Sequence, residues 1–201
     1  MSRRRDLLVN NAGTTRFIPL DDLDAVDADT WRAILDISVI GTWQVTAAAV
    51  PHLKASGSAT IINISSVSGS RALGSSIPYG VSKAAVNHLT RMLAATLGPE
   101  IRVNAIAPGL IETPWYDEAP DILEDSREWV AVHTPLRRAG TRRMWPRPPS
   151  PWCAPPTRPG MCSPWTAAAT WSDGASAMPA RSRPVVAPMT ARSVVTVTLS
   201  G

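Results

Sequence analysis

Cysteine is scarce: Cys153 and Cys162 are the only two in 201 residues. A single pair makes no disulfide framework, and no histidine stands beside it at metal-ligand spacing, so a disulfide scaffold and a zinc site are both excluded as organising principles. His52, His88 and His133 are likewise scattered without ligand spacing. No uninterrupted apolar run approaches the ~20 residues of a membrane span. The start, MSRRRDLLVNNAG, does not read as a secretory signal, because Arg3 to Arg5 are followed by only a short apolar segment. The expectation is a cytoplasmic chain with no membrane partner, long enough for one domain with a sizeable core.

The net charge of +4 is unevenly spread. Residues 1–141 hold 13 Lys+Arg and 15 Asp+Glu, a net of −2. Residues 142–201 hold 7 Arg and 1 Asp, a net of +6. The basic character belongs to the tail, which also has 11 Pro and 4 Trp but no Ile, Phe, Tyr, Lys, Glu, Gln, Asn or His. A Pro-rich disordered tail is one reading. A nucleic-acid partner is not expected, because the tail has no basic-aromatic interleaving on a recognisable fold.

A second reading is that the tail is translated out of frame. Arg142-Arg143-Met144-Trp145-Pro146 can be encoded by CGG AGG ATG TGG CCN. Regrouped from each third base, after any C, this spells Pro-Glu-Asp-Val-Ala. The segment GMCSPWTAAATW, residues 160–171, treated the same way, can spell Asp-Val-Leu-Thr-Val-Asp-Gly-Gly-Gly-Asp-Val. Met and Trp codons have no degeneracy and force several of these residues.

Upstream of the tail, strands alternate with helices. Asp6–Asn10 (DLLVN) is a short apolar run ending at Asn-Asn-Ala-Gly, a buried strand entering a turn. Asp29 is the expected N-cap of a helix to about residue 54, with Trp31, Ile34, Leu35, Val39, Thr42, Val45, Ala49 and Leu53 recurring at three or four. Residues 60–64 (TIINI) form a second strand. Pro78 suits the first turn of a helix reaching Leu97 and stopping at Gly98-Pro99. Its stripe Val86, Leu89, Met92, Leu93 and Thr96 is expected in the core or a subunit interface. Ile101–Ile106 (IRVNAI) is a third strand, ended by Pro108-Gly109. Alternation of this kind implies parallel β-α-β units: an α/β fold, a partial Rossmann-like doubly wound sheet over residues 1–141, then an irregular tail over 142–201.

Tyr79 and Lys83 are spaced i, i+4 and share one helix face. Alone, that pair is usually a solvated face. Ser66, however, lies thirteen residues before Tyr79, at the end of TIINI. Ligands of open α/β sheets bind beyond the carboxyl ends of strands. Ser66, Asn11, Pro108 and Gly109 all fall there, so three strand ends and one helix start are expected to converge.

LVNNAG, ISS followed by YGVSK, and IRVNAIAPGLIETP, in that order, resemble the short-chain dehydrogenase/reductase family over roughly residues 6–141. The regrouped tail is similar to the family's PEDVA and TVDGG segments. The resemblance implies an NAD- or NADP-dependent oxidoreductase moving a hydride between a nicotinamide and an alcohol or carbonyl carbon of a small molecule. It implies Tyr79 as general acid/base, because the substrate oxygen must gain or lose a proton. A phenol of pKa about 10 needs help, and Lys83 would favour the phenolate by its charge while binding the nicotinamide ribose. Ser66 would donate to the substrate oxygen. Asn11, Ala12 and Gly13 correspond to the segment beside the ribose, and Pro108, Gly109, Ile111 and Thr113 to the segment at the nicotinamide end. Trp115, Tyr116 and Trp129 fall in the family's substrate-covering region. The family often pairs its two long helices between subunits, so a homo-oligomer is expected of an intact relative.

Two departures stand out. Ser38, in DISVIG, replaces the asparagine that in the family helps hold a relay water; a hydroxyl binds water with shorter reach. The family also begins with a Gly-rich TGxxxGxG turn that receives the pyrophosphate, and nothing here matches it. The first three strands are therefore expected to be absent, cofactor choice is unreadable, and a second expectation arises: an inactive remnant that folds poorly and binds no dinucleotide. A cooperative thermal transition with saturable dinucleotide binding would sink that expectation.

Overall fold

The computed structural model of the chain describes residues 6–117 and 119–144. The tail from 145 onward, with most of the out-of-frame reading, lies outside the described residues. Three strands make a parallel sheet in the order β1 (Asp6–Asn10), β2 (Ala59–Ile64), β3 (Ile101–Ile106). Asp6 faces Ala59 across the first pairing, and Ala59 faces Ile101 across the second. β1 and β3 alternate between buried and half-buried positions, as strands covered more fully on one face should.

Between β1 and β2 runs one long helical stretch: α1 (Ala28–Leu35), a π-helical turn (Asp36–Gly41) and α2 (Thr42–Ala55). The cap is Asp27, whose carboxylate accepts from Thr30 N at 2.7 Å, and not Asp29. Asp29 lies within the first turn and pairs instead with Arg32. The whole stretch Ala28–Ala55 meets the length and composition of a membrane span, with mean hydropathy 1.5 in its richest window. The expectation that nothing here has span length is corrected to that extent: occasional polar residues interrupt the run without lowering its average. α3 (Ile77–Leu97) connects β2 to β3, with Ser76 accepting from Tyr79 N as N-cap and Pro78 in the first turn.

α2 and α3 pack on the same face of the sheet. Leu53 from α2 and Leu93, Ala94 and Leu97 from α3 enclose Leu8, Ile61, Ile101 and Val103. On the opposite face Thr60 and Ile62 are buried, while Leu7, Val9, Ile64 and Ile106 are half-buried. The α3 stripe read from the sequence divides accordingly: Val86 and Leu93 are core, Leu89 is half-buried, and Met92 and Thr96 are exposed. After β3, Ile111–Glu112 (β4) pairs with Gly140–Thr141 (β5), and α4 (Pro120–His133) lies between them in the chain. Arg127 of α4 bonds Glu112 of β4 at 2.8 Å.

A polar chain crosses the buried face. Asn10 Nδ2 donates to Thr46 Oγ1 (3.0 Å) and to Asn63 Oδ1 (2.8 Å), and Asn63 Nδ2 donates to Thr90 Oγ1 (2.9 Å). It joins α2, β1, β2 and α3 through groups that would be costly to bury unpaired. None of the four residues was singled out from the sequence, where each is only a small polar residue in an apolar segment.

Candidate active site

The carboxyl ends of the three strands meet as expected. Ser65 N donates to Ile106 O (2.7 Å) and Val67 N to Pro108 O (3.0 Å), which joins the ends of β2 and β3. Ser66 then starts a short 3₁₀ turn, Val67–Gly69, and its Oγ accepts from Ser68 N at 3.2 Å. Ser66 is buried. Its Oγ donates to Ser68 Oγ at 3.2 Å, and the same hydroxyl lies beside Tyr79, where it favours the phenolate. Ser68 was not foreseen.

Tyr79 sits half-buried in the first turn of α3. Burial pushes its pKa up, and the Ser66 hydroxyl pulls it down by less. This corrects the expected direction. The Lys83 ammonium lies 5.6 Å from the ring centroid and donates to Ile64 O at 3.0 Å, so it does not grip the phenol oxygen itself. Burial pushes Lys83 down to about 8. Its backbone carbonyl accepts from Ser65 Oγ at 3.1 Å, so both ends of Lys83 are tied to the end of β2.

Ser38 is buried in the π-helical turn, and its Oγ has no hydrogen-bond partner among the described residues. A Cβ placed on Gly13 would lie 3.4 Å from Lys83 Nζ and 3.9 Å from Ser38 Oγ. The structure therefore brings Gly13, Ser38, Lys83, Tyr79 and Ser66 together. Asn11 is exposed and Ala12 half-buried beyond β1. Pro108 is half-buried, Gly109 is exposed, Ile111 belongs to β4, and Thr113 caps a short turn by accepting from Trp115 N at 3.4 Å. Thr113 reaches the Tyr79 cluster only through Trp115.

Aromatic rings border Tyr79. Trp115 is 6.4 Å from it, centroid to centroid, and Tyr116 is 5.8 Å from Phe17, which follows β1. Burial and the neighbouring Tyr79 push Tyr116 up to about 12, so it is a neutral phenol at any ordinary pH. Phe17 was missed, although it is the only phenylalanine in the chain. Trp129 instead stacks on His133, 4.8 Å away on α4.

Residues 2–144 match the family profile described as enoyl-(acyl carrier protein) reductase. The chain belongs to the short-chain dehydrogenase/reductase family. It is 56% identical over 137 residues to a Streptomyces violaceoruber protein assigned as ketoacyl reductase 2 of the granaticin polyketide synthase, covering 68% of this chain and 55% of that one. It is 39% identical over 138 residues to the 3-oxoacyl-[acyl-carrier-protein] reductase of Thermotoga maritima, covering 68% and 54%. Among solved structures, a gluconate 5-dehydrogenase from Burkholderia cenocepacia in complex with NADP and tartrate superposes with a TM-score of 0.61 at 36% identity, covering 68% and 52%. This short-chain dehydrogenase/reductase chain thus spans about half the length of the curated relatives it matches.

Proposed function

We propose that the site performs reversible carbonyl reduction with NAD or NADP, Tyr79 exchanging the proton at the substrate oxygen. The observation that carries this reading is the buried Lys83 amine 5.6 Å from the Tyr79 ring centroid, with the buried Ser66 hydroxyl beside the same tyrosine. The bound nicotinamide would supply the hydride in reduction and accept it in oxidation. In the reducing direction Tyr79 donates its proton as negative charge develops on the oxygen, and Ser66 donates a hydrogen bond to that oxygen. A phenol whose pKa is raised holds its proton until the acceptor forms, which suits the reducing direction. Lys83 bears a positive charge below about pH 8 and favours the phenolate left after transfer.

The residues present fit the nicotinamide end of a dinucleotide. Ser38 Oγ is a buried polar atom wanting a partner, and the absent side chain of Gly13 leaves room beside Lys83. Lys83 would bind the ribose, and Ser38 would hold a water through which the proton is replenished. Asn11, Ala12, Pro108, Gly109, Ile111 and Thr113 would line the cofactor side. Trp115 and Tyr116, which border Tyr79, would present an apolar aromatic wall to a small alcohol or carbonyl substrate. The alternative is a chain that keeps these motifs but binds no dinucleotide.

The two readings part on the wild type, which only the first expects to oxidise NAD(P)H, and Tyr79→Phe then tests the role of the phenol. With general acid/base catalysis worth about 10²–10⁴-fold, the variant should lose at least about 10²-fold in carbonyl-dependent NAD(P)H oxidation and keep its melting temperature. An unchanged rate would remove Tyr79 from the mechanism.

A further inference from the structure

The serine turn and α3 are held together by contacts that do not touch the reacting groups. Gly69 lies against the backbone of α3: a Cβ added there would come within 2.7 Å of Lys83 C and 2.8 Å of Lys83 O. The same Cβ would come within 2.7 Å of Asn87 Nδ2. Asn87 is buried one turn beyond Lys83, and its Nδ2 donates to Gly69 O at 3.3 Å. Ser66 and Gly69 belong to one tight turn, since Gly69 N donates to Ser66 O at 3.0 Å. A displacement of Gly69 from α3 is therefore passed to Ser66 with little slack. Tyr79 and Lys83 ride on α3 itself.

We propose that Asn87 is a positioning residue whose amide, bonded to Gly69 O, seats the Val67–Gly69 turn on α3 and so keeps Ser66 within hydrogen-bond reach of Tyr79. This rests on the functional reading above but does not need turnover to be tested. Asn87 is two turns from Tyr79 on the same helix, so it reaches substrate only through the turn. Gly69 is the other half of the device, because only a residue without a side chain lets the turn approach this closely.

Tyr79 and Tyr116 are the only tyrosines in the chain. Carbon NMR of the full chain labelled at tyrosine Cζ therefore gives two lines, assigned with Tyr116→Phe. The Cζ line responds to hydrogen bonding at the phenol oxygen. Ser66→Ala should shift the Tyr79 line. Asn87→Leu, which keeps the volume but removes the donor, should shift it the same way, and the double variant should add nothing further. Gly69→Ala, a wedge where Asn87→Leu is a lost tie, should do likewise. Thr90→Val serves as control: it should lower the melting temperature without moving the line. If Ser66→Ala shifts the line while Asn87→Leu changes only the melting temperature, the positioning role is overturned and the site stands. If Ser66→Ala leaves the line in place, the Ser66–Tyr79 pairing is wrong and both proposals fall.

Discussion

Lys83 is an ammonium enclosed by protein, and that leaves a mark on stability as well as on chemistry. Its folded pKa is about 8 against an ordinary 10.5. Between those values the unfolded chain binds more protons than the folded one, so this group makes stability rise with pH. The buried phenols oppose it only above pH 10, where unfolded tyrosine ionises and folded Tyr79 and Tyr116 do not. The expected result is a denaturation midpoint that climbs between about pH 8 and pH 10 in the wild type and is flatter in Lys83→Met; parallel profiles would refute the buried-amine picture. The i, i+4 spacing of Tyr79 and Lys83 and the strand-end position of Ser66 were legible in the sequence, because spacing and element boundaries are local. The direction of the Tyr79 shift was not, because it depends on how much protein surrounds the ring. Asn87 was equally hidden: a second i, i+4 step from Lys83 is visible, but its partner, Gly69 O, lies eighteen residues back.

The π-helical turn shows how one helix places a polar side chain toward the site. Thr42 Oγ1 donates to Ser38 O at 2.8 Å inside the widened turn. The extra residue per turn buries Ser38, Thr42 and Thr46 along with Ile34 and Leu53, and leaves Ile37, Ile40 and Trp43 outside. The sequence pattern assumed an unbroken 3.6-residue period and so placed Val39 and Val45 on the buried face, where they are only half-buried. The three strands of the sheet and the two long helices were found to within two residues, since apolar runs and Pro/Gly stops define them, whereas β4, α4 and β5 were not read from the sequence. The Asn10–Asn63 bond was invisible because a polar residue in a strand reads as a defect until its cross-strand partner is known. Asn63→Leu leaves one Asn10 N–H without its acceptor while Thr46 Oγ1 still accepts the other, and should cost about 2 kcal/mol, read from urea denaturation; a neutral result would mean the pair is dispensable. Ser76→Ala removes the α3 cap at Tyr79 N and should cost about 1 kcal/mol.

The assembled chain has apolar surface to dispose of. Ile37 (43%), Ile40 (47%) and Trp43 (50%) on the first helical stretch and Met92 (56%) on α3 are exposed. Surfaces of this kind favour association, so self-association through these helices is the prediction. Sedimentation should show self-association in the wild type and a shift toward monomer in Trp43→Glu; a monomer in both would leave those side chains without a role in assembly. The parallel β1–β2–β3 order was legible from the alternation of apolar runs and helices, whereas the register, Asp6 to Ala59 and Ala59 to Ile101, was not, because it depends on contacts between segments far apart in the chain. The direct test is carbonyl-dependent oxidation of NADH and NADPH by the full chain, followed by absorbance, in the wild type and Tyr79→Phe side by side. The account predicts oxidation in the wild type and its loss in Tyr79→Phe. No oxidation by the wild type, or oxidation that survives the substitution, would contradict it.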